Sequence, residues 1–547
     1  MPHISLVLGM FTPTSAERVS LSVISLAAVL ILVAAPLVGF PRVVRLPAVL
    51  VPAIVLAGLV LRPWRWREAG RRALEWQPSV RFVWSGSVII GLALCWYVLT
   101  RFQSAQINAV DFTVYFDRPC FQTVHGRPLF VENSDTPGYS NRSELADHAY
   151  WAMLPVCSLY SIAPTPLWLH GISALAVAAG AFFVLRIMLR MGSGGLLACG
   201  TALAFVLNDN TARALNYGFH PEILYAWFVP WMIAAGLRGS RKSFLVATLA
   251  CVLVKEDACL PIFAVTLALG LHRFMAMTWS DRRLFLLWPN AAALLNLAVY
   301  YSYVVPWLTG SNSPSYSNFW ANYGATPFMA LIGMALHPWR VLEGAMTSGV
   351  WGTLRPHLFL PLIGWRWTLG VVPIILIYGA SANDQVRAFG IYYAIVLVPF
   401  LVIGASLGAL MIARRLTSSE GRAQIVSASV VLIGALLVGS GHRGYSLRAW
   451  RTEVSAVPQA LASVSKEPVV LVQSGLFPHA GYEQHVKLLT PEALDDPRNE
   501  GAVMILAPRI GAYPFTKEEL ARLMSLSPVG SMPPGIVAVR LSKAKVQ

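Results

Sequence analysis

Long apolar runs with almost no charge restrict this chain more than any other feature. They fall at about 21–40, 46–61 and 82–100, then at 166–189, 194–207 and 221–237. A closely spaced pair follows at 243–254 and 258–271, then 284–306, a run within 326–379, 388–413 and 423–440. Several approach the roughly 20 residues that cross a bilayer as a helix. In hydrocarbon every backbone N–H and C=O must find its partner within the segment, so such runs fold as helices. Others are too short to cross alone, and Pro155, Pro164, Pro166, Pro261 and Pro361 interrupt some of them. Broken helices at that depth occur only where they line a cavity or pack inside protein. The expected fold is an α-helical polytopic membrane protein with about 11–13 spans. Composition excludes the alternatives. Only 12% of the residues are charged and 56% are hydrophobic, against roughly 25% charge in soluble proteins. A soluble enzyme, a disordered chain and a disulfide-knit secreted module are ruled out.

Lysine and arginine number 42 against 26 acids, a net charge of +16. In a membrane protein this excess collects in cytoplasmic loops. No basic segment carries the interleaved aromatics of a nucleic-acid binder, so no nucleic-acid partner is expected. Arg62, Arg65, Arg67, Arg71, Arg72 and Arg81 follow the second run and mark a cytoplasmic segment. Arg186 with Arg190, Arg238 with Arg241 and Lys242, Arg273 with Arg282 and Arg283, and Arg414 with Arg415 and Arg422 share that side. Arg42 and Arg45 oppose it in a very short loop. The run 21–40 lacks a small-x-small cleavage site and reads as a retained first span. This parity places outside the loop 101–150, the polar turn 208–220 and the tail from about 441. The loop holds six acids (Asp111, Asp117, Glu132, Asp135, Glu144, Asp147) against four arginines.

The expected organisation is N-terminal spans over 1–100, a large outer loop with amphipathic helices over 101–165, a membrane core over 166–440, and an extracytoplasmic α/β domain over 441–547. The tail carries 21 charged residues, about twice the density of the rest. Its β-rich runs 469–472, 503–506 and 536–541 alternate with helix-like stretches 453–464 and 516–524. Thr516 with Glu519 matches a capping box. The six cysteines (95, 120, 157, 199, 251, 259) show no metal-binding spacing and read as small buried hydrophobes. Cys120 and Cys157 both face outward on this topology, where a disulfide is open to them.

Ionisable groups beside apolar spans cost about 2.5–3.5 kcal/mol at a helix centre and mark functional sites by default. Four clusters qualify. Asp111-Phe112 begins a segment expected to form an amphipathic helix at the outer interface, although helix capping would also explain Asp111. Asp147 stands beside His148, and such a carboxylate can fix a histidine tautomer. In Phe219-His220-Pro221-Glu222 the His-x-Glu pair could bind metal or phosphate, or could simply cap a helix whose first turn takes the proline. Lys255-Glu256-Asp257 interrupts an apolar hairpin and needs partners, water or a headgroup. All four fall at outer span ends. Converging there, they would pair a candidate general base with cations able to neutralise a leaving phosphate.

These motifs, in this order over roughly 105–440 together with Tyr392-Tyr393 and Pro399-Phe400, resemble the prokaryotic membrane-protein family called domain of unknown function 2079. Ser474-Gly475-Leu476-Phe477-Pro478-His479 in the tail fits the same resemblance. That family is similar in layout to the GT-C superfamily of membrane glycosyltransferases. The resemblance implies a polyprenyl-phosphate-linked sugar as donor and a cell-envelope glycan or lipid as acceptor. It implies an inverting displacement with Asp111 as catalytic base, in a bacterial inner membrane with the active site outside. His148, His220, Glu222, Lys255, Glu256 and Asp257 become candidates for the donor phosphate. Asp111, His148, His220 and Glu222 become candidate ligands for a divalent cation, Mg or Mn. The chain has Asp111-Phe112 where many such enzymes have paired acids. The rival readings are a lipid or small-molecule transporter and a non-catalytic membrane assembly protein.

Overall fold

The computed structural model describes residues 76–107, 110–132, 142–310, 319–438, 445 and 449–542. The expected runs 21–40 and 46–61, the arginines from Arg42 to Arg72, and Asp135 lie outside the described residues. Among the described residues five helices are long and apolar enough to cross a membrane. They are Val80–Gln103, Leu167–Arg190, Glu256–Ala276, Trp279–Thr309 and Val398–Leu416. The shorter apolar helices Gly195–Leu207 and Trp365–Gly379 stand beside them.

The outermost and innermost of these helices differ in what they bury. Val80–Gln103 starts at Ser79, whose hydroxyl accepts the Phe82 amide at 3.1 Å, a favourable N-cap. Val80, Trp84, Val88, Leu92 and Trp96 recur every four residues and are all exposed. In water this stripe would be a liability, and against acyl chains it is ordinary contact. Leu167–Arg190 sits at the centre and is lined with Ala174, Ala178, Gly180 and Ala181. A Cβ on Gly180 would stand 2.1 Å from the Ala226 carbonyl oxygen. Only glycine lets this helix meet Tyr225–Arg238 so closely, as small residues do between membrane helices.

Breaks in the helices follow the proline and charge signals. Lys255 separates Arg241–Val252 from a 3-10 turn Glu256–Ala258 and the helix Cys259–Arg273, matching the interrupted pair expected there. The run within 326–379 resolves into Pro327–Leu336, Pro338–Thr347, Val350–Leu354 and, after a 3-10 turn containing Pro361, Trp365–Gly379. The run expected over 388–413 becomes helical only at Val398. Pro399 suits a first turn but cannot continue a helix from upstream. Residues before it form turns, with Phe389 (φ 50°) and Ile391 (φ 52°) in the left-handed region.

Two expectations for the outer loop are corrected. Val110–Asp117 is a π-helix, and Phe112, Thr113, Val114, Phe116 and Asp117 are buried. It is not an amphipathic helix lying on the interface, because it is covered on two sides. Phe112 stacks on His170 of the membrane core at 4.4 Å, while Val114 joins the core of the C-terminal layer. Asp111 and Tyr115, four apart, remain half-exposed. Cys120 and Cys157 are not isolated hydrophobes but a disulfide. It ties the helix Arg118–Val124 to Met153–Cys157. A pairing across 37 residues depends on the fold and leaves no local spacing signal.

Beside these helices a short antiparallel pair forms from β1 (Phe130–Val131) and β2 (Arg142–Ser143). The C-terminal sheet contains β3 (Val470–Val472), β4 (Val486–Leu488), β5 (Val503–Leu506) and β6 (Val537–Arg540) in the order β4-β3-β5-β6. β3 is parallel to both β4 and β5, with Val470 opposite Val486 and Val503, and β6 closes the sheet antiparallel to β5. β4 has no counterpart in the sequence reading, since Val-Lys-Leu is too short to register as a run. Helices Thr452–Ser463 and Lys517–Met524 flank the sheet. The Thr516 hydroxyl accepts the Glu519 amide at 3.1 Å, and Glu519 accepts the Thr516 amide at 2.7 Å, completing a capping box.

This layer is fastened to the outer loop. The Asp117 carboxylate accepts hydrogen bonds from Tyr160 at 2.6 Å and Tyr482 at 3.0 Å. The Arg118 guanidinium lies 4.5 Å over the Phe477 ring and donates to the Gly481 carbonyl at 3.2 Å. Phe121 and Tyr482 stack at 4.3 Å. Burial pushes the Asp117 carboxyl up to about 6 against these stabilising contacts.

Candidate functional site

The site begins where the helix Asp209–Tyr217 stops. Asn208 caps its start by accepting the Asn210 amide at 2.9 Å. Gly218 ends it with φ 107°, a conformation that side-chain-bearing residues avoid. A Cβ there would also press on Ile107 at 3.3 Å and Phe112 at 3.4 Å. The chain therefore turns tightly beside the π-helix and delivers Tyr217 and His220 to it. The Tyr217 hydroxyl donates to the Asp111 carboxylate, which orients the half-exposed acid.

Pro221 opens a 3-10 turn, Pro221–Leu224, that carries Glu222 inward. Glu222 bridges two partners, with His220 Nδ1 at one oxygen and Lys255 Nζ at the other, the latter at 2.6 Å. Lys255 is 6% exposed and Glu222 is 4% exposed, so each ion's desolvation is compensated by its partner. Tyr392, from the turns before Val398, stacks on His220 with ring centroids 3.7 Å apart.

The Lys-Glu-Asp tripeptide divides its side chains three ways. Lys255 meets Glu222. Glu256 accepts from the Ala149 amide at 2.9 Å and bonds His148 Nδ1 at 2.9 Å. Asp257 accepts from Tyr378 at 3.1 Å and Tyr225 at 3.4 Å. The carboxylate that fixes His148 is thus Glu256 rather than its neighbour Asp147, which pairs with Arg142 at 2.6 Å. In the outer loop, burial and then the Asp147 charge push Glu144 up to about 8, with Asp111 adding to the rise.

The four sequence clusters meet in one place. Tyr150 packs 4.9 Å from His148 and 6.1 Å from His220, with Lys255 Nζ 5.9 Å from its ring centroid. Tyr217 lies 5.6 Å from Tyr392, which closes the path from Asp111 to His220. Lys255, Glu222, Glu256 and His220 are buried, whereas Asp111 and His148 stand half-exposed at the mouth. Glu222, Glu256 and Asp257 accept bonds from protein groups and position their partners. A bare carboxylate does not itself attract phosphate. Asp111, His148, His220 and Glu222 do not fit a Mg or Mn ion either. Among the described residues no three His, Cys, Asp or Glu side chains are placed to hold a metal.

What the charged motifs do not reveal is the tyrosine wall. Tyr150, Tyr217, Tyr225, Tyr378 and Tyr392 contact the ionisable residues at hydrogen-bond or ring distance. Tyr150 lies two residues from His148, which it packs against, and Tyr217 three residues before His220, a proximity to the motifs that could have flagged them. Tyr225 and Tyr378 sit within apolar runs and give no such signal. Beside Tyr217 opens a cleft of about 350 Å³ between the membrane core and the C-terminal sheet.

No curated protein matches the sequence. Among solved structures, the chain is similar to ArnT from Cupriavidus metallidurans bound to undecaprenyl phosphate, at 12% identity and a TM-score of 0.44 over 84% of this chain and 99% of that one. It is also similar to the arabinofuranosyltransferase AftD from Mycobacteria, at 14% identity and a TM-score of 0.45 over 85% of this chain and 40% of that one. The family model for a predicted membrane protein (DUF2079) matches residues 101–486, the greater part of the chain, and the protein belongs to that family.

Proposed function

We propose that this protein is a GT-C-like membrane glycosyltransferase that moves a sugar from a polyprenyl-phosphate donor to a hydroxyl acceptor. The observation that carries the reading is a half-exposed carboxylate, Asp111, oriented by Tyr217 at the mouth of a chamber whose buried cation is Lys255. A base and a cation joined through one cluster, from Asp111 by Tyr217, Tyr392 and His220 to Glu222 and Lys255, suit a displacement in which a neutral hydroxyl attacks and an anion leaves. The acceptor oxygen forms a bond to the anomeric carbon while its proton passes to Asp111. The bond from that carbon to phosphate oxygen breaks, and polyprenyl phosphate departs with the electron pair. Attack from the side opposite the phosphate inverts the anomeric centre. Glu222 occupies one of the ammonium's three N–H donors, and His148 and His220 add further donors beside Lys255. Each neutralises charge as it develops on the leaving group.

The chamber opens on the extracytoplasmic face of a bacterial inner membrane in this reading, along with the C-terminal layer. The Cys120–Cys157 bond supports that side, since disulfides persist in oxidising compartments. The arginine-rich turns at the far ends of the helices support it as well.

The test uses the full-length protein purified in lipid nanodiscs. Native mass spectrometry should find a polyprenyl-phosphate lipid retained by both the natural protein and Asp111→Asn. Asp111→Asn should lower release of polyprenyl phosphate by about 100- to 10,000-fold, the effect of losing a general base. Cells carrying Asp111→Asn with an unchanged surface-glycan profile would refute the reading.

A further inference from the structure

The cleft beside Tyr217 is a binding site in its own right, and three independent features point to what it holds. The first is topology. The chain leaves β3 toward β4 on one flank and returns to β5 on the other, with β3 parallel to both. In open α/β sheets the crevice outside the carboxyl ends of strands at such a reversal is where ligands bind. The cleft sits there, lined by Ser474 and Gly475 after β3 and by Gly511 and Tyr513 after β5. Gln473 holds the two loops together, donating to the Gly511 carbonyl at 2.9 Å and accepting the Ala507 amide at 2.7 Å.

The second feature is an unanswered donor. Gln106 lines the opposite wall. Its Oε1 accepts from Arg101 at 2.7 Å, while its Nε2 is buried without a hydrogen-bond partner. A buried N–H without a partner costs about 1–3 kcal/mol, and a turn of the Gln106 amide toward the cleft would let a ligand oxygen answer it. The third is charge. No charged side chain lines the cleft, whereas Lys255 and its acids lie in the chamber beyond. Tyr513 is 64% exposed and offers a flat apolar ring with a polar edge.

We infer that this cleft holds the acceptor and that the acceptor is a neutral carbohydrate. This rests on the transferase reading for its role, though not for its binding chemistry. A sugar presents hydroxyls to the Gln106 amide and Asn216, and an apolar ring face to Tyr513. Tyr217 belongs to both the cleft and the Asp111 contact, so one sugar hydroxyl reaches the base from there. Arg101, behind the wall, is buried and already donates to Gln106 and Asn216, so a phosphorylated or anionic acceptor meets no exposed cation among the lining residues. A lipid acceptor, approaching from the bilayer, has no need of the sheet loops.

Saturation-transfer NMR on the full-length protein in nanodiscs tests this with methyl glucoside, methyl mannoside, methyl galactoside and chitobiose, and with glucose 1-phosphate as the charged comparison. At least one neutral glycoside should bind the natural protein. Gly511→Trp should weaken that binding about tenfold or more, the loss of one well-packed contact. A Cβ at Gly511 meets nothing within 4 Å, so a side chain can start there without pressing on the backbone. Tyr513→Ala, at an exposed position, should weaken it similarly. Failure of every neutral probe, equal binding of glucose 1-phosphate, or unchanged binding by both variants overturns the inference. Native mass spectrometry of the same samples separates the two readings. Glycoside binding without any retained polyprenyl phosphate removes the transferase reading and leaves the carbohydrate site standing. Retained lipid without glycoside binding does the reverse.

Discussion

Lys255 is a structural cost that the proposed transfer would also put to use. Its ammonium is buried, and Glu222 is buried against it at 2.6 Å. Removing one partner strands the other charge, which typically costs about 3–5 kcal/mol. Lys255→Met should therefore lower the thermal unfolding midpoint sharply. Adding Glu222→Gln to it removes the stranded charge and should restore most of that midpoint, because a neutral pair of similar volume packs acceptably. Glycan transfer should remain lost in the stable double variant. Recovery of transfer along with stability would show that Lys255 serves only to neutralise Glu222. The residue types involved were visible in the sequence, since ionisable groups in apolar runs stand out on energetic grounds. Their pairing was not. Glu256, rather than Asp147, holds His148, because a side chain 108 residues away is nearer in the fold than the adjacent one.

At the scale of elements, the joint between the π-helix and the C-terminal sheet governs behaviour with pH. Asp117 titrates near 3.8 in an unstructured chain and near 6 in the joint, raised chiefly by burial and lowered in part by Tyr160, Tyr482 and Arg118. Because the folded value is higher, the group's contribution to stability is fully present below 3.8 and is lost as pH rises through 6. The difference amounts to about 3 kcal/mol. Hydrogen exchange in the 477–482 segment should therefore speed up between about pH 4 and pH 6 beyond the intrinsic rate and level off above it, reporting a looser joint. Asp117→Asn should flatten that slope, since an amide carries no charge to desolvate. A slope unchanged in Asp117→Asn would assign the pH response elsewhere. The disulfide supports the same joint from behind. Replacing Cys120 and Cys157 by alanine frees a loop of 37 residues, and the chain-entropy relation puts the loss at about 4 kcal/mol. Differential scanning of the double variant against the reduced natural protein checks this, and the two should agree. The elements themselves were largely legible. Apolar length located the helices, and proline and charge located their breaks. The π-helix escaped because a period of 3.6 was assumed for Val110–Asp117, and β4 escaped because pairing, rather than composition, makes it a strand.

Taken whole, the molecule carries arginine at the same end of four of its helices, while Arg101, Arg118 and Arg142 stand on the side of the C-terminal sheet. The described arginines at the ends of Leu167–Arg190, Tyr225–Arg238, Cys259–Arg273 and Val398–Leu416 lie in the last turns of those helices. Each also interacts favourably with the negative end of its helix dipole, so helix chemistry and membrane topology favour the same placement. The candidate chamber, the disulfide and the C-terminal sheet gather at other ends. If arginine position fixes orientation, a cysteine placed in the C-terminal layer must react from outside the cell membrane and one among the arginines must not. Ser525→Cys and Arg241→Cys, both at exposed positions, provide the pair, each in a chain whose Cys95, Cys199, Cys251 and Cys259 are changed to alanine. A membrane-impermeant maleimide added to intact spheroplasts should label Ser525→Cys fully. Arg241→Cys should react only after lysis. The opposite pattern would put the disulfide in a reducing compartment, where it would not persist, and would place the acceptor cleft in the cytoplasm. Labelling of both before lysis would mean that the Arg241 turn and the sheet share a face. That would undo the charge-based orientation while leaving the geometry of the chamber intact.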